Sequence, residues 1–143
     1  MSNAIKKRHE IAEEYKWKLE DVYANEEGWE EDFKRVQEAL PGIENFRGRL
    51  QESATVLYDA LKRLEELQRR SEKLYVYARM RRDEDNANTR YQDLFERIER
   101  LSVQVSSITS FVIPEITVIP VEIFLLEKLL HFFHWYYGYL RNY

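Results

Sequence analysis

Residues 57–67 read LYDALKRLEEL, and this stretch decides the fold class of the chain. Its leucines stand at positions 57, 61, 64 and 67, a spacing that places them on one face of an α-helix. Charged side chains fill the opposite face, which favours a helix that is packed on one side and solvated on the other. The seam continues through Leu74 and Ala78 to Arg81. The polar residue Ser71 stands at the position between Leu67 and Leu74 where the spacing calls for an apolar one. We expect this helix to begin near Ser53 and to end at the polar turn of residues 83–88.

Two further seams flank this helix. The first helix is predicted to be capped by Asn25 and to be kinked or broken at Pro41-Gly42. The third is predicted to be capped by Asn88 and to end at Ile113-Pro114, because a residue before proline avoids the α region. The first seam has apolar residues at Trp29, Phe33, Val36, Leu40, Ile43 and Leu50. The third has them at Tyr91, Leu94, Phe95, Ile98, Leu101, Val105, Ile108 and Val112.

These seams predict an all-α fold, an antiparallel bundle or long hairpin of three to four helices. Residues 25–115 form the predicted bundle domain. Residues 1–24 are predicted to be an extended N-terminal arm, in which Tyr15, Trp17 and Leu19 alternate with lysines and share one packed face. Residues 116–143 are predicted to form an aromatic-rich C-terminal helix.

The C-terminal segment is apolar over residues 121–140 but carries charges. A transmembrane helix needs about 20 residues with few or no charges. Glu122, Glu127 and Lys128 interrupt this segment, and Pro120 precedes it. We therefore expect a buried fourth helix rather than a membrane span.

Charge and composition exclude several classes of protein. The net charge is −4, from 26 acidic and 22 basic residues that are closely interspersed, so no basic stripe predicts nucleic-acid binding. The chain has no cysteine, which excludes disulfides, thiolate metal sites and cysteine nucleophiles. Its first residues contain no apolar run of the signal-peptide kind. We expect a cytoplasmic protein.

Histidines supply two weak candidates for a metal site. His131 and His134 stand three residues apart, a spacing that places two imidazoles on one helix face, but Glu127 and Glu122 are only loosely placed as further ligands. The alternative is two ring side chains in an amphipathic tail. Residues 9–13 read HEIAE, a near match to the zinc motif H-E-x-x-H, but Glu13 replaces the second histidine. We expect no catalytic residue and no metal ligand in this chain.

Other candidate sites have simpler explanations. Asp83, Glu84 and Asp85 lack the glycine and terminal glutamate of a calcium-binding loop, which favours a solvated turn. No serine has a glycine-flanked elbow, so a hydrolase triad lacks support. Tyr75 and Tyr77 lie beside a helical seam, and we expect them to pack rather than to bind a ligand.

Residues 15–23, YKWKLEDVY, resemble the start of oligoendopeptidase F, a zinc metallopeptidase of the thimet-oligopeptidase type. The resemblance extends over about residues 8–120 through a set of short segments. These are Trp29, residues 46–50, 74–78, 83–85 and 91–92, and residues 109–116.

The resemblance implies an almost entirely helical peptidase whose N-terminal helices form one wall of a peptide-binding channel. It also implies a zinc ion held by an H-E-x-x-H helix and a later glutamate in the C-terminal half. Those residues have no counterparts here, so the resemblance extends to a helical N-terminal region without the catalytic domain. The similarity fades after Pro120, and a truncated or frameshifted gene or a shortened relative would end in this way.

Three hypotheses about function follow. The first is a catalytically inert module that forms a homo-oligomer through its helix seams and its aromatic tail. The second is a fragment or subunit of a zinc oligopeptidase that needs a separate catalytic half. The third is a helical module that binds a protein or a membrane surface.

Overall fold

A computed structural model of the chain describes residues 10–119, and over this range the fold is all-α, as predicted. Three long helices are α1 (Glu26–Glu44), α2 (Ala54–Glu84) and α3 (Thr89–Thr109). A short helix, α4 (Val112–Thr117), follows them. None of the helices within residues 10–119 is long and apolar enough to cross a lipid bilayer.

The predicted helix starts are confirmed by their caps. The Asn25 side-chain oxygen accepts a 3.0 Å hydrogen bond from the Gly28 amide, and Ser53 Oγ accepts one of 3.1 Å from the Val56 amide. Asn88 Oδ1 accepts from the amides of Arg90 at 2.9 Å and Tyr91 at 3.3 Å. Such bonds satisfy amides of the first helical turn that have no partner within the helix.

Of the kink or break predicted at Pro41-Gly42, the break does not occur. Helix α1 continues through Pro41 to Glu44, and the amide of Asn45 still donates to the carbonyl oxygen of Pro41 at 3.2 Å. Proline removes one helical hydrogen bond and strains the preceding turn. Leu40 and Ile43 are buried on either side of it, and their packing offsets this cost.

The predicted end of the third helix at Ile113-Pro114 is also wrong. Helix α3 ends four residues earlier than Ile113, at Thr109, and Pro114 lies in the first turn of α4. A proline fits there because the amide that it lacks would have no helical partner at that position.

The chain divides into two compact units, each with its own apolar interior. Within the described residues, unit 1 comprises residues 10–38 and Leu67–Val105, and unit 2 comprises Ala39–Glu66 and residues 106–119. The buried side chains of unit 1 include Leu19, Tyr23, Trp29, Phe33, Val36, Leu67, Leu74, Tyr77, Ala78, Leu94, Phe95, Ile98 and Leu101. Those of unit 2 include Leu40, Ile43, Leu50, Leu57, Leu61, Leu64, Phe111, Val112 and Ile116. The predicted seams are thus the source of both interiors.

Contacts within unit 1 define the direction of its helices. Trp29 of α1 bonds to Leu74 of α2, whereas Asp32 bonds to Arg70, so the two helices run antiparallel there. Tyr77 is buried and Tyr75 packs against Phe95 with ring centroids 5.6 Å apart, so the packing role expected for both tyrosines is confirmed.

In unit 2, a turn between α1 and α2 is tied to α4. Gly48 has a φ of +78°, a left-handed conformation that glycine adopts without steric cost. Its amide donates a 2.6 Å hydrogen bond to Glu115 Oε1. The guanidinium of Arg47 lies 4.6 Å from the centroid of the Phe111 ring. Side chains as well as backbone therefore fix this turn.

The described part of the arm, residues 10–24, holds two short 3-10 helices, Glu13–Tyr15 and Leu19–Asp21. Leu19 is 1% exposed, but Tyr15 and Trp17 are 76% and 75% exposed, so the predicted packing of all three on one face is wrong. The 3-10 turns replace the two-residue period of a strand, and alternate residues no longer share a face. The division of the chain at residues 24 and 115 stays a prediction. Of the C-terminal helix predicted over residues 116–143, residues 120–143 lie outside the described residues.

Candidate functional site

The most enclosed charged group of unit 1 is Asp32, on the apolar side of α1. Its Oδ2 accepts a 3.0 Å hydrogen bond from the Tyr23 hydroxyl of the arm. Its Oδ1 accepts from Arg70 of α2 at 2.5 Å and from Arg35 of α1 at 3.2 Å. The Asp32 side chain is 11% exposed and that of Arg70 is 28% exposed. One carboxylate thus joins the arm, α1 and α2, and we call these four residues the Asp32 cluster.

The surroundings of the Asp32 cluster hold its groups in their ordinary neutral-pH forms. Burial acts to raise the pKa of Asp32, but the Tyr23 hydroxyl and the guanidinium groups of Arg70 and Arg35 together leave that pKa below its usual value. Burial, and then the bond to Asp32, raise the pKa of Tyr23 above its usual range. The carboxyl therefore stays ionised and the phenol stays protonated. The pKa values of both groups are shifted away from neutral pH, so the pair is better suited to hold the arm on α1 than to transfer a proton.

Rings and a further cation enclose Tyr23. The ammonium of Lys73 lies 4.1 Å from the centroid of the Tyr23 ring. The Tyr77 ring meets the Tyr23 ring edge-on, with centroids 5.4 Å apart. Such contacts add stabilisation beyond the burial of apolar area. Tyr23 is thus an anchor of the arm on α2.

A second group of charges joins α1 to α3. The two terminal guanidinium nitrogens of Arg97, Nη1 and Nη2, donate to the two carboxylate oxygens of Glu30, each at 2.6 Å. Arg90 donates to Glu30 at 2.9 Å and to Glu26 at 2.8 Å. The hydrogen bonds from Arg97 are the main reason that the pKa of Glu30 lies below its usual value. A bidentate ion pair of this kind fixes the relative orientation of the two side chains in addition to pairing their charges.

Arg97 also packs against the aromatic core. Its guanidinium carbon lies 5.1 Å from the Trp29 ring centroid and 4.6 Å from that of Phe33. The two rings are stacked on each other with centroids 5.0 Å apart. Arg97 therefore connects the surface ion pairs to the apolar interior of unit 1.

The predicted candidate sites have different outcomes. His9, His131, His134, Glu122 and Glu127 lie outside the described residues. Residues 83–85 fall at the end of α2 and in the turn after it. There Asp83 lies within 3.8 Å of Arg79, and Asp85 Oδ1 accepts a bond from the Ala87 amide. Glu84 Oε2 accepts a 3.1 Å hydrogen bond from Arg81, whose guanidinium carbon lies 5.2 Å from the centroid of the Tyr77 ring.

A zinc ion does not fit the acidic groups that the structure describes. Within residues 10–119, no group of three or more His, Cys, Asp or Glu side chains is placed to hold a metal ion. The carboxylates of Glu30 and Asp32 are bound by guanidinium groups, which occupy the oxygen positions that a cation would need. No chemical step through zinc is assigned to these residues.

Sequence reasoning missed both ion clusters. Arg70 is 38 residues from Asp32, and Arg97 is 67 residues from Glu30, so no local pattern pairs them. One signal was present for Asp32: it follows Trp29 by three residues and precedes Val36 by four, which places a carboxylate on the apolar stripe of α1. A charge on such a stripe needs a buried partner.

Comparison with known proteins gives the lineage. The chain is 36% identical to oligopeptidase PepF of Bacillus subtilis over 130 residues. The aligned segment covers 89% of this chain and 19% of that protein. It is 33% identical over 112 residues to the chromosomal oligoendopeptidase F of Lactococcus lactis subsp. cremoris, with coverage of 78% and 19%. It is 34% identical over 109 residues to group B oligopeptidase PepB of Streptococcus agalactiae, with coverage of 76% and 18%.

The chain thus spans about one fifth of the length of these relatives, and that fifth is their first. It matches no protein-family model, and no solved structure is significantly similar to it. The similarity to several curated relatives nevertheless covers more than three quarters of the chain. The chain therefore belongs to the oligoendopeptidase F family, as a counterpart of its N-terminal helical region.

Proposed function

We propose that this chain is an oligoendopeptidase F-like helical module that hydrolyses no peptide by itself and that associates with a second copy of itself. It has no H-E-x-x-H sequence in its 143 residues. The carboxylates of its two ion clusters are bound by arginines, which leaves them poorly suited to activate water. In this proposal the module works in the cytoplasm, and it acts through its surface rather than through a reaction.

Two exposed aromatic side chains of the arm carry the proposal of self-association. Tyr15 and Trp17 are each about three quarters exposed, and tyrosine and tryptophan are enriched in protein interfaces. A tyrosine or tryptophan buries roughly 150–250 Å². Because about three quarters of each side chain is still exposed, a two-fold contact that used both rings from each copy would bury roughly 450–750 Å².

That area sets the expected strength of the association. Stable protein interfaces bury at least about 1,200 Å² in total. The arm contact alone falls short of this, so we expect a reversible dimer that dissociates on dilution rather than an obligate one. The aromatic residues of the C-terminal segment, included in this proposal from the sequence, would strengthen it.

Sedimentation velocity over a series of micromolar concentrations tests this proposal on the full chain. We expect the weight-average sedimentation coefficient to rise with concentration. The double variant Tyr15→Ala/Trp17→Ala should weaken the association, while Val103→Ala, which removes an exposed apolar side chain of α3, should leave it unchanged. A monomer at every concentration would contradict self-association.

Peptide hydrolysis is tested separately. The purified chain, supplied with zinc, is incubated with a quenched fluorogenic peptide, and we expect no increase in fluorescence over buffer. Turnover that is removed by a chelator and restored by zinc would show that the chain holds catalytic ligands, and would overturn the proposal of inertness.

A second candidate function rests on length. Because the chain corresponds to one fifth of its relatives, a separate polypeptide carrying the remaining part would complete a peptidase. The relative from Bacillus subtilis is named an oligopeptidase, and its residual C-terminal part is a suitable probe. Peptide hydrolysis that appears only when both parts are mixed would favour this candidate over the inert module.

A further inference from the structure

The arm contacts the rest of unit 1 through few buried residues. Within residues 10–24, its backbone hydrogen bonds close local turns. The Lys16 amide donates to Glu13, those of Val22 and Tyr23 donate to Leu19, and no such bond reaches a helix among the described residues. Its backbone is therefore not part of the hydrogen-bonded frame of α1 or α2.

Side chains alone dock the arm. Leu19 and Tyr23 are its two buried residues, at 1% and 5% exposure. The Tyr23 hydroxyl bonds to Asp32 of α1, and the Tyr23 ring contacts Lys73 and Tyr77 of α2. Glu20 adds an exposed ion pair with Arg81 at 3.4 Å, which contributes little.

The arm can leave without stranding a buried charge. When Tyr23 departs, Asp32 keeps its bonds to Arg70 and Arg35, so the carboxylate remains neutralised. The loss of a neutral phenol is far less costly than the loss of an ionic partner. Segments with few buried side chains and only local backbone bonds are those that open below the threshold of global unfolding.

We propose that residues 10–24 form a strap that detaches reversibly from α1 and α2 while these helices stay folded. Leu19 and Tyr23 are its two fastenings. Opening uncovers the Tyr77 ring and one side of the Asp32–Arg70 pair. Because Tyr15 and Trp17 of the proposed contact between copies lie in the strap, its opening is tested at a concentration at which sedimentation velocity shows a monomer.

Native-state hydrogen exchange of the full chain, read by mass spectrometry of peptides covering the strap and each helix, tests the proposal. We expect the amides of Asp21, Val22 and Tyr23 to exchange at least about tenfold faster, relative to their intrinsic rates, than the core amides of α1 and α2. Their exchange should depend only weakly on low concentrations of urea, because a local opening exposes little surface.

Two variants weaken the fastenings to different degrees. Tyr23→Phe removes one hydroxyl bond to an ionised carboxylate and should accelerate exchange of the strap by about 10- to 150-fold, with the helices little changed. Leu19→Ala, which removes a larger buried group, should accelerate it by more than about tenfold. Lys18→Ala is the control, because Lys18 lies in the strap but is 73% exposed.

Two results would contradict the proposal that the strap detaches while α1 and α2 stay folded. One is exchange of strap amides with the same protection and the same urea dependence as the helix cores. The other is an equal acceleration of strap and helices in both fastening variants, since this would mean that the arm and the helices unfold as one cooperative unit.

Discussion

The indole nitrogen of Trp29 donates a 3.0 Å hydrogen bond to the main-chain carbonyl oxygen of Leu74, in the middle of α2. Both residues are completely buried. A carbonyl inside a helix already accepts a bond from its own helix, so it is fully paired without the indole. The indole N–H, in contrast, is buried away from water. Its hydrogen bond to Leu74 therefore removes the cost of burying an unpaired donor.

Replacing Trp29 by phenylalanine removes this bond and leaves space beside Leu74. We expect a loss of about 1–3 kcal/mol in the free energy of unfolding, from a missing hydrogen bond and from incomplete packing. Urea unfolding followed by circular dichroism measures it. The same substitution at exposed Trp17 is the control and should change stability by less than about 0.5 kcal/mol. Equal losses at the two positions would contradict this role of Trp29.

The substitution Asp32→Asn keeps the size of the side chain but removes the charge that Arg70 and Arg35 share. We expect a loss of roughly 1–3 kcal/mol at neutral pH, because a partly buried guanidinium loses its ionic partner. Asp21→Asn, at an exposed pair with Lys18, should cost less than about 0.5 kcal/mol. Urea unfolding of both variants decides the matter, and an unchanged Asp32→Asn variant would show that the cluster adds nothing to stability.

Acid should weaken the link between α1 and α3. The pKa of Glu30 is lower in the folded protein than its ordinary value of 4.5, with the Arg97 bonds as the main cause. The stabilisation by Glu30 is therefore complete above that value and is lost as the pH falls through the lower folded pKa. Arg97 and Arg90 of α3 face Glu30, with Asp93 beside them, and the two arginines keep their charge throughout.

Glu30→Gln isolates this effect. It should lower the unfolding free energy by roughly 1 kcal/mol at neutral pH, and its difference from the unmodified protein should shrink as the pH falls below the ordinary glutamate pKa of 4.5. Glu38→Gln, at an exposed pair with Lys34 on the same helix, is the matched control. A Glu30→Gln deficit that is constant from neutral pH to acid would refute the electrostatic explanation.

Two glycines should respond to alanine in opposite directions. Gly48 has a positive φ that alanine tolerates poorly, and nothing lies within 4 Å of an added methyl group, so the cost of roughly 1 kcal/mol would be conformational alone. Gly28 lies inside α1, and the nearest atoms to its added methyl group are 3.6 Å away, an ordinary contact. Gly28→Ala should therefore stabilise the protein by about 0.5–1 kcal/mol. Thermal unfolding of the two variants checks both signs.

The sequence was sufficient for the features that depend on local pattern. Asn25 and Asn88 were predicted as caps and the second helix was predicted to begin near Ser53, because short polar side chains precede apolar periodicity there, and the structure confirms these starts. The apolar seams were likewise recognisable from their spacing. Local rules were less reliable at Pro41 and Pro114, since tertiary packing outweighs one missing bond and a proline is tolerated in a first turn.

The sequence was insufficient for features that depend on distant pairing. The bond between Asp32 and Arg70 joins two helices, and the pattern of each helix alone does not specify which charges meet. The arm shows the same limitation, because the alternation of residues 15–19 predicted an extended arm with one packed face, whereas the structure has a 3-10 helix at Leu19–Asp21 with Leu19 buried. Such features require knowledge of which helix faces lie together.

The edge of the Arg97 guanidinium bonds to both carboxylate oxygens of Glu30. The same guanidinium also lies over the rings of Trp29 and Phe33. A lysine would supply the same charge, yet an ammonium can neither make the paired bonds in one plane nor lie flat on a ring. The two basic residues are therefore not interchangeable here. At position 97, unit 1 needs a planar cation, and shape rather than charge restricts which residue can stand there.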